Sequence, residues 1–595
     1  METIYDIVRK LEAQDETGTT RQSEYVQFSL RSTLNTIDAY LNSKHISGDT
    51  DSMGREKPFF NIVISAANIW YRATDIDRKN ISVKATKMGH MILSFFATIL
   101  LQKYMRKTLF GQFLNEWGRI LARYGSAVLK FVEKDGEMKQ SVLPWSSILC
   151  DSIDFENNIQ VEKLYFTPAQ LKQKKGYDQS FVQQLLDNTT TRKTKEGSDK
   201  DIKDDYILIY ECHGLMPLSF LTDKEEDEHE FVQQMHVICY QERKEKAGDY
   251  DQYTLYRGRE AKSPYMITHL IKEDDRTLAK GAVEHLFDAQ WMVNDNVKKI
   301  KDQLDLASKI FFQTSDGTFL SQNALRNLQN GDILIHRQNE PLTQLNNTPN
   351  IAAMQASMGQ WQSIGIQING ISEAMQGQNA PAGTAWRQVE ALLNESHSLF
   401  ELMTENKGFY IEQMLTNYII PHLKKKMDNK EEIAEILEEH QIKFIDSRYI
   451  PNAITKKVFE KMKKTILGGE VYTGNMQSFD TQQAQEEVKN MLSGMGRQRF
   501  IKPDDIDEKT WKDVLKDLEW ELEIDITNEQ KDKQSIMATL NTLLQTITNP
   551  IAVQVLQTDE GKLIMSRILE MSGAVSPIEI SQLGSGNQQP APQPQ

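Results

Sequence analysis

From Lys280 to Phe312 the chain reads KGAVEHLFDAQWMVNDNVKKIKDQLDLASKIFF, and two of its heptad positions are almost wholly apolar. Val283, Val297, Leu304 and Phe311 share one position, with Gln290 filling its gap, and Leu286, Val293, Ile300 and Ala307 share the other. A seam kept for about four heptads dictates a helix of roughly 45 Å. Asp288, Asp295, Lys298, Lys299, Lys301, Asp302 and Asp305 fall on the remaining faces. The turn TSDGTF ends this helix, and a compact insert follows, 313–350. There ALRNLQNGDILIHRQ predicts a short helix, an Asn330-Gly331 turn and a strand, closed by NNTPN.

A second helix begins at Ile351. Met354, Met358, Trp361, Ile364, Ile368, Ile371 and Met375 keep steps of three and four. Gly365 and Gly370 inside that pattern each cost about 1 kcal/mol relative to Ala, which invites a bend or a close neighbouring backbone. The stretch GISEAMQGQNAPAGTAWRQVE, Gly370 to Glu390, then carries glycines, alanines and a proline, with no charge between Glu373 and Arg387. Beyond it Val389, Leu392, Leu399, Phe400, Met403, Ile411, Met414 and Tyr418 continue helical spacing to Pro421, with Gly408 as a candidate kink.

Either side of this helical block the pattern is mixed. SEYVQFSLRSTLNTIDAYLNS and FGQFLNEWGRILARYG read as helices, and SAVLKFVEKDGEMKQSVLPW as a hairpin around Asp135-Gly136. DDYILIYECHG and EFVQQMHVICYQER read as strands separated by an acidic loop, so 1–280 is an α+β region. Towards the C-terminus KEEIAEILEEH reads as a short helix and LEWELEIDIT as a strand; the chain is helical again from Asn528, and 574–595 ends in the low-complexity GSGNQQPAPQPQ. The expected class is α+β, predominantly helical.

With 595 residues, 26% charged and 39% hydrophobic, the chain has ordinary globular composition and room for roughly three or four domains. The net charge of −15 argues against a protein that coats nucleic acid, whose phosphate contacts need clustered Lys and Arg. Cys150, Cys212 and Cys239 have no metal-ligand spacing and suggest a reducing compartment. METIYDIVRKLEAQDE is charged throughout, unlike a secretory signal. The twelve-residue run MILSFFATILLQ is too short to span a bilayer and is expected to be a buried core helix, so no membrane role is expected.

Motifs for chemistry are missing. There is no phosphate-binding loop, no H-E-x-x-H, no zinc spacing and no nucleophile elbow; DTDSMGREK has Met53 where a calcium loop needs an oxygen ligand. No catalytic residue, metal or cofactor is expected. The acidic run from Asp223 to Glu230 could hold a divalent ion, as a nuclease requires, but a solvated loop between strands accounts for it more simply. Lys298, Lys299 and Lys301 either contact phosphates or pair locally with Asp295, Asp302 and Asp305.

The order of these parts resembles the portal proteins of tailed double-stranded DNA bacteriophages. The likeness spans nearly the whole chain as an architecture. In sequence it is confined to the Lys280–Phe312 run, NGDILI and above all GISEAMQGQNAPAGTAWRQVE. It implies a wing from 1–280, stem helices at 281–312 and 351–374, a clip at 313–350 and a tunnel loop at 375–384. It further implies a long kinked wing helix at 385–428, a wing return at 429–527, a helical crown at 528–573 and a tail at 574–595. The tunnel loop would be Met375, Gln376, Gly377, Gln378, Asn379, Ala380, Pro381, Ala382, Gly383 and Thr384. In the clip, Asp316, Gly317, Phe319, Arg326, Asn330 and Arg337 would meet the terminase or a head-tail connector. Arg387 would meet a DNA phosphate or form an intersubunit pair with Glu373 or Glu390.

Such proteins are not enzymes. They form homo-oligomeric rings, typically dodecamers, at one capsid vertex of the virion after assembly in the host cytoplasm. They dock terminase and head-tail connector or adaptor proteins, contact the major capsid protein, and pass double-stranded DNA non-specifically during packaging and ejection. An acidic, uncharged-loop channel suits passage without tight binding. The alternatives are a helical scaffolding or adaptor protein of the virion without a DNA channel, and a metal-dependent nuclease using the acidic run.

Overall fold

The computed structural model describes residues 3–17, 28–76 except 53, 81–85, 91–195 except 135, 206–242 except 228, 250–308 except 275, 311–313, 315, 338–339, 343–345, 351–371, 386–428, 433–436, 454, 479–494, 498–501 and 520–524. Of the confidently placed residues, 54% are helical and 21% strand, an α+β chain with helices in the majority.

In chain order, α1 (Ile4–Thr17), α2 (Leu30–Leu41) and α3 (Val63–Ala73) precede strand β1 (Ile81–Ala85) and helices α4 (Met91–Lys107) and α5 (Phe110–Tyr124). A β-rich stretch follows: β2 (Ser126–Lys134), β3 (Glu137–Leu143), β4 (Ile148–Leu149), β5 (Gln160–Phe166), α6 (Pro168–Gln173), α7 (Gln179–Lys195), β6 (Ile207–Pro217), α8 (Ser219–Thr222), β7 (Phe231–Glu242), β8 (Tyr250–Arg259) and β9 (Tyr265–His269). Then come α9 (Phe287–Ala307), β10 (Phe311–Gln313), β11 (Thr343–Leu345), α10 (Ile351–Ile368), α11 (Trp386–Met414) and α12 (Ile420–Asp428). Last are β12 (Ile433–Ile436), α13 (Phe479–Gly494), β13 (Gln498–Ile501) and β14 (Trp520–Ile524).

The chain divides into two compact units. The first holds 1–75, 113–132 and 140–407; the second holds 76–112, 133–139 and 408–595. Residues 76–112 and 133–139 therefore group with the C-terminal part of the chain, not with the rest of 1–280.

The first unit is built on the antiparallel sheet β4-β5-β6-β7-β8. Alternation along β6 decides its two faces. Ile207 and Ile209 join Leu171, Val182, Leu185 and Leu186 under α6 and α7, while Tyr210, Cys212 and Met216 meet Ile4, Tyr5 and Val8 of α1. The expected Asp135-Gly136 hairpin is present as β2 and β3, with Gly136 at φ 72°, and β9 completes a three-stranded sheet. A buried ionic cluster joins this sheet to the larger one. Lys130 Nζ donates to Glu162 Oε2 at 2.5 Å and Glu211 Oε1 at 2.8 Å, and Tyr265 OH donates to Glu162 Oε2 at 2.9 Å. His213, 1% exposed, places Nε2 3.0 Å from Glu211 Oε1 and Nδ1 2.7 Å from Glu260 Oε2. A carboxylate on each ring nitrogen favours the form in which both nitrogens donate, the imidazolium.

In the second unit β1 pairs antiparallel with β14, Ile81 opposite Ile524 and Ala85 opposite Trp520, giving the expected C-terminal strand its partner.

Four expectations are corrected. The first long helix starts at Phe287, because Gly281 lies against the backbone of residues 123–125, where a Cβ would stand 2.5 Å from Arg123 O. It ends at Ala307, and Phe311 belongs instead to a strand paired with Thr343–Leu345. The second helix ends at Ile368, not at 374: Gly370 takes φ 66° and Ile371 N donates back to Ile366 O at 3.2 Å, a glycine stop. KEEIAEILEEH contains a strand, Ile433–Ile436, paired with Gln498–Ile501. Finally, helix α11 runs unbroken through Gly408, and the irregularity is a π-turn at Leu415–Ile419 that leads into Pro421. A proline cannot donate to the preceding turn, and a wider turn before it relieves the missing bond.

Candidate functional site

Helices α9 and α10 form an antiparallel pair that brackets the 313–350 insert. Leu286 and Ala289 lie against Gly365 at one end, and Asn296 Nδ2 reaches Ser357 Oγ at 3.4 Å towards the other. Gly365 is buried, and a Cβ there would stand 2.8 Å from Leu286 Cδ2 and 3.1 Å from Ala289 Cβ, so its lack of a side chain sets the helix separation. The insert is closed at its base by β10 and β11, Phe311 opposite Leu345.

The α9 seam is buried only in its N-terminal half. Val283, Leu286, Gln290 and Val293 are buried, whereas Val297, Ile300 and Ala307 are half-buried and Leu304 is 50% exposed. Gln290, the gap in the seam, is buried as a clamp on an extended backbone. Its Nε2 donates to Phe60 O at 2.7 Å and to Asn294 Oδ1 at 3.0 Å, its Oε1 accepts from Ile62 N at 2.9 Å, and Asn294 Oδ1 also accepts from Phe60 N at 3.0 Å. Two side-chain amides one helical turn apart thus replace the neighbouring strand that residues 60–62 lack.

The charged faces of α9 are engaged within the chain. Lys299 pairs with Asp295 at 2.7 Å, whereas Asp302 and Asp305 pair with Arg55, at 3.0 and 3.9 Å. Lys301 Nζ donates to Glu56 O at 3.0 Å, and Lys298 is half-buried. Helix α10 differs: its 18 residues include no charged side chain, and Ala352, Ala353, Ala356, Gly359 and Ser363 are exposed.

The exit from α10 is bolted to the core. Trp70 Nε1 donates to Asn369 O at 3.1 Å, and the Trp70 ring meets Phe400 of α11 edge-on at 6.2 Å and His285 at 5.8 Å. The Asn369 carboxamide is buried with neither its nitrogen nor its oxygen hydrogen-bonded. Further along α11, Lys407 is fully buried beneath the Trp117 ring and donates to Thr74 O at the end of α3. Burial pushes its ammonium down to about 8, partly offset by Asp75.

Both flanks of 372–385 are therefore anchored in one unit. The expected tunnel loop Met375 to Thr384 and the insert residues Asp316, Gly317, Phe319, Arg326, Asn330 and Arg337 lie outside the described residues, as does the Arg387 side chain, although Arg387 is in α11. In the acidic run, Asp223 accepts from Arg257 Nη1 on both carboxylate oxygens, each at 2.9 Å. Among the described residues no group of three or more His, Cys, Asp or Glu is placed to hold a metal ion, and no helix is long and apolar enough to cross a membrane. Sequence reasoning missed Arg55, Trp70 and Lys407. Only Gln290 left a signal, as a polar residue on an apolar stripe.

No family model matches the chain, and no curated protein matches it.

Proposed function

We propose that this chain is the subunit of a portal-type ring, a DNA conduit and docking platform of a tailed bacteriophage rather than an enzyme. One observation carries the reading. Two antiparallel helices bracket an insert closed by its own strand pair, and the return helix leads, through a glycine stop fixed to the core, into a segment uncharged beyond Glu373 and a 29-residue helix. In a ring, the helix pair would be the stem, the insert the clip, and 375–384 the loop facing the lumen. An acidic chain suits a channel from which phosphates slide without being held.

The half-exposed seam of α9 and the uncharged face of α10 are consistent with contacts between neighbouring subunits. On this reading Lys298 is the α9 lysine left to meet DNA or a neighbour, since Lys299 and Lys301 are engaged, and Arg387 would meet a phosphate or a neighbouring carboxylate. The test is imaging of the purified protein by negative-stain electron microscopy together with its native mass. Rings with a central channel are expected. Elongated monomers or dimers at all concentrations would sink the reading in favour of a scaffold or adaptor.

A further inference from the structure

Although the chain is acidic overall, three elements of its second unit gather positive charge around one buried carboxylate. Glu137, at the tip of the β2–β3 hairpin, is 7% exposed. Its Oε1 accepts from Lys107 Nζ of α4 at 2.5 Å and from Lys426 Nζ of α12. His422 of α12 brings Nε2 to 3.9 Å from Glu137 Oε2, and that buried nitrogen has no hydrogen-bond partner. Tyr104 OH donates to Met138 O at 2.7 Å, fixing α4 against the hairpin. Two ammonium groups on one carboxylate leave the trio positive. Over 103–107, 133–139 and 422–428 the sequence holds eight Lys or Arg against four Asp or Glu, the reverse of the chain's balance of −15.

Helix ends explain part of this. A cation in the last turn is favoured by about 0.3–1 kcal/mol through the helix dipole, which accounts for Arg106 on α4 and Lys425 on α12 taken singly. It does not account for two helix ends converging on the same buried glutamate, nor for the imidazole nitrogen left over beside it. Leu109, two residues beyond Lys107, stands 58% exposed amid this charge.

We propose that this face binds an acidic amphipathic segment of another polypeptide. Its carboxylates would take charge-assisted hydrogen bonds from Arg106, Lys107, Lys425 and Lys426. An apolar side chain of the segment would cover Leu109. A DNA duplex fits less well. It offers nothing to a leucine, and a long polyanion extends past the patch into the field of an acidic chain, whereas a short segment engages the patch alone within about 8 Å of screening length.

The test uses the full chain and fluorescence anisotropy with two probes: a short labelled peptide of Glu and Leu at helical spacing, and a labelled DNA duplex of equal charge. The peptide is expected to bind more tightly than the duplex. Its affinity should fall about tenfold in the double variant Arg106→Glu with Lys425→Glu, both exposed and outside the Glu137 trio. Leu109→Ser should weaken the peptide and leave the duplex unchanged. Should the double variant unfold, the unaltered protein still answers, because raising salt from ~0.05 to ~0.3 M must weaken the peptide. Equal or tighter binding of the duplex overturns the inference in favour of a nucleic-acid surface. No peptide binding, or binding indifferent to charge reversal and salt, overturns it outright. The outcome is independent of whether the chain forms rings.

Discussion

The heptad pattern and the structure make opposite statements about Gln290, and Gln290→Leu separates them. By pattern alone the substitution completes the apolar seam and should stabilise α9. In the structure it removes the donor to Phe60 O and the acceptor for Ile62 N, leaving two part-buried backbone groups unpaired 228 and 230 residues away in sequence. Each unpaired group costs about 1–3 kcal/mol, and these sit at the lower end because Phe60 itself is half exposed. Leucine has four apolar side-chain carbons against glutamine's two, which returns roughly 1.6 kcal/mol at ~0.8 each, so the net loss is on the order of 1–2 kcal/mol after the lost bond to Asn294 is counted.

Native-state hydrogen exchange reads this locally, which matters in a chain of two units that need not unfold together. The Ile62 amide should exchange roughly tenfold faster, at 1.4 kcal/mol per decade. Gln290→Glu keeps the acceptor and loses the donor, so it should protect Ile62 while destabilising Phe60. An Ile62 amide equally or better protected in the leucine variant would refute the clamp and restore the seam.

Gly365→Val should loosen the α9–α10 pair by about 1–3 kcal/mol through overpacking against Leu286 and Ala289, seen as a lower unfolding midpoint with unchanged helix content by circular dichroism. For His213, burial pushes the imidazole pKa down, but bonds to Glu211 and Glu260 outweigh it and raise it above the ordinary value. A raised folded-state pKa means its contribution is full below the ordinary value near 6.5 and is lost as pH rises through the folded value. His213→Gln should therefore flatten the decline of stability above neutral pH, and an unchanged slope would count against the imidazolium. Burial likewise pushes Glu211 up, yet His213 and Lys130 hold it at about 2, so its contribution should vanish only as pH falls from about 4.5 through that value. Deletion of 378–383 should spare ring assembly and impair DNA packaging or retention in a complementation assay; loss of rings would make the segment structural.

Local patterns in the sequence were sufficient wherever an element satisfies itself or its immediate neighbour. The Asp135-Gly136 hairpin, α5, β6 and β7 all have the right alternation or three-to-four spacing and a sheet or helix close by in sequence. They were insufficient where a distant partner decides. The segment EEIAEILEEH has helical spacing, but pairing with residues 498–501 draws Ile433–Ile436 into a strand. Likewise Gln290 looked like a flaw in a seam because residues 60–62, which it serves, lie more than two hundred positions earlier. At the candidate site the helix–insert–helix order was legible from periodicity. The close approach at Gly365 was anticipated as one of two options, and Gly370 turned out to end the helix because its positive φ suits a glycine stop.

The pairing of β1 with β14 also bears on how the chain is made. Ile81 leaves the ribosome some 440 residues before its partner Ile524. At about 5–20 residues per second this strand waits roughly 20–90 s with an open edge. All of the first unit, to Lys407, is synthesised before the strand is covered. The second unit therefore closes only after Ile524 has been made, so a product cut short before β14 would carry an unpaired strand edge. Such an edge is a ready template for pairing with other chains. Synthesis through β14 is thus written into the fold as a condition for a chain that does not aggregate.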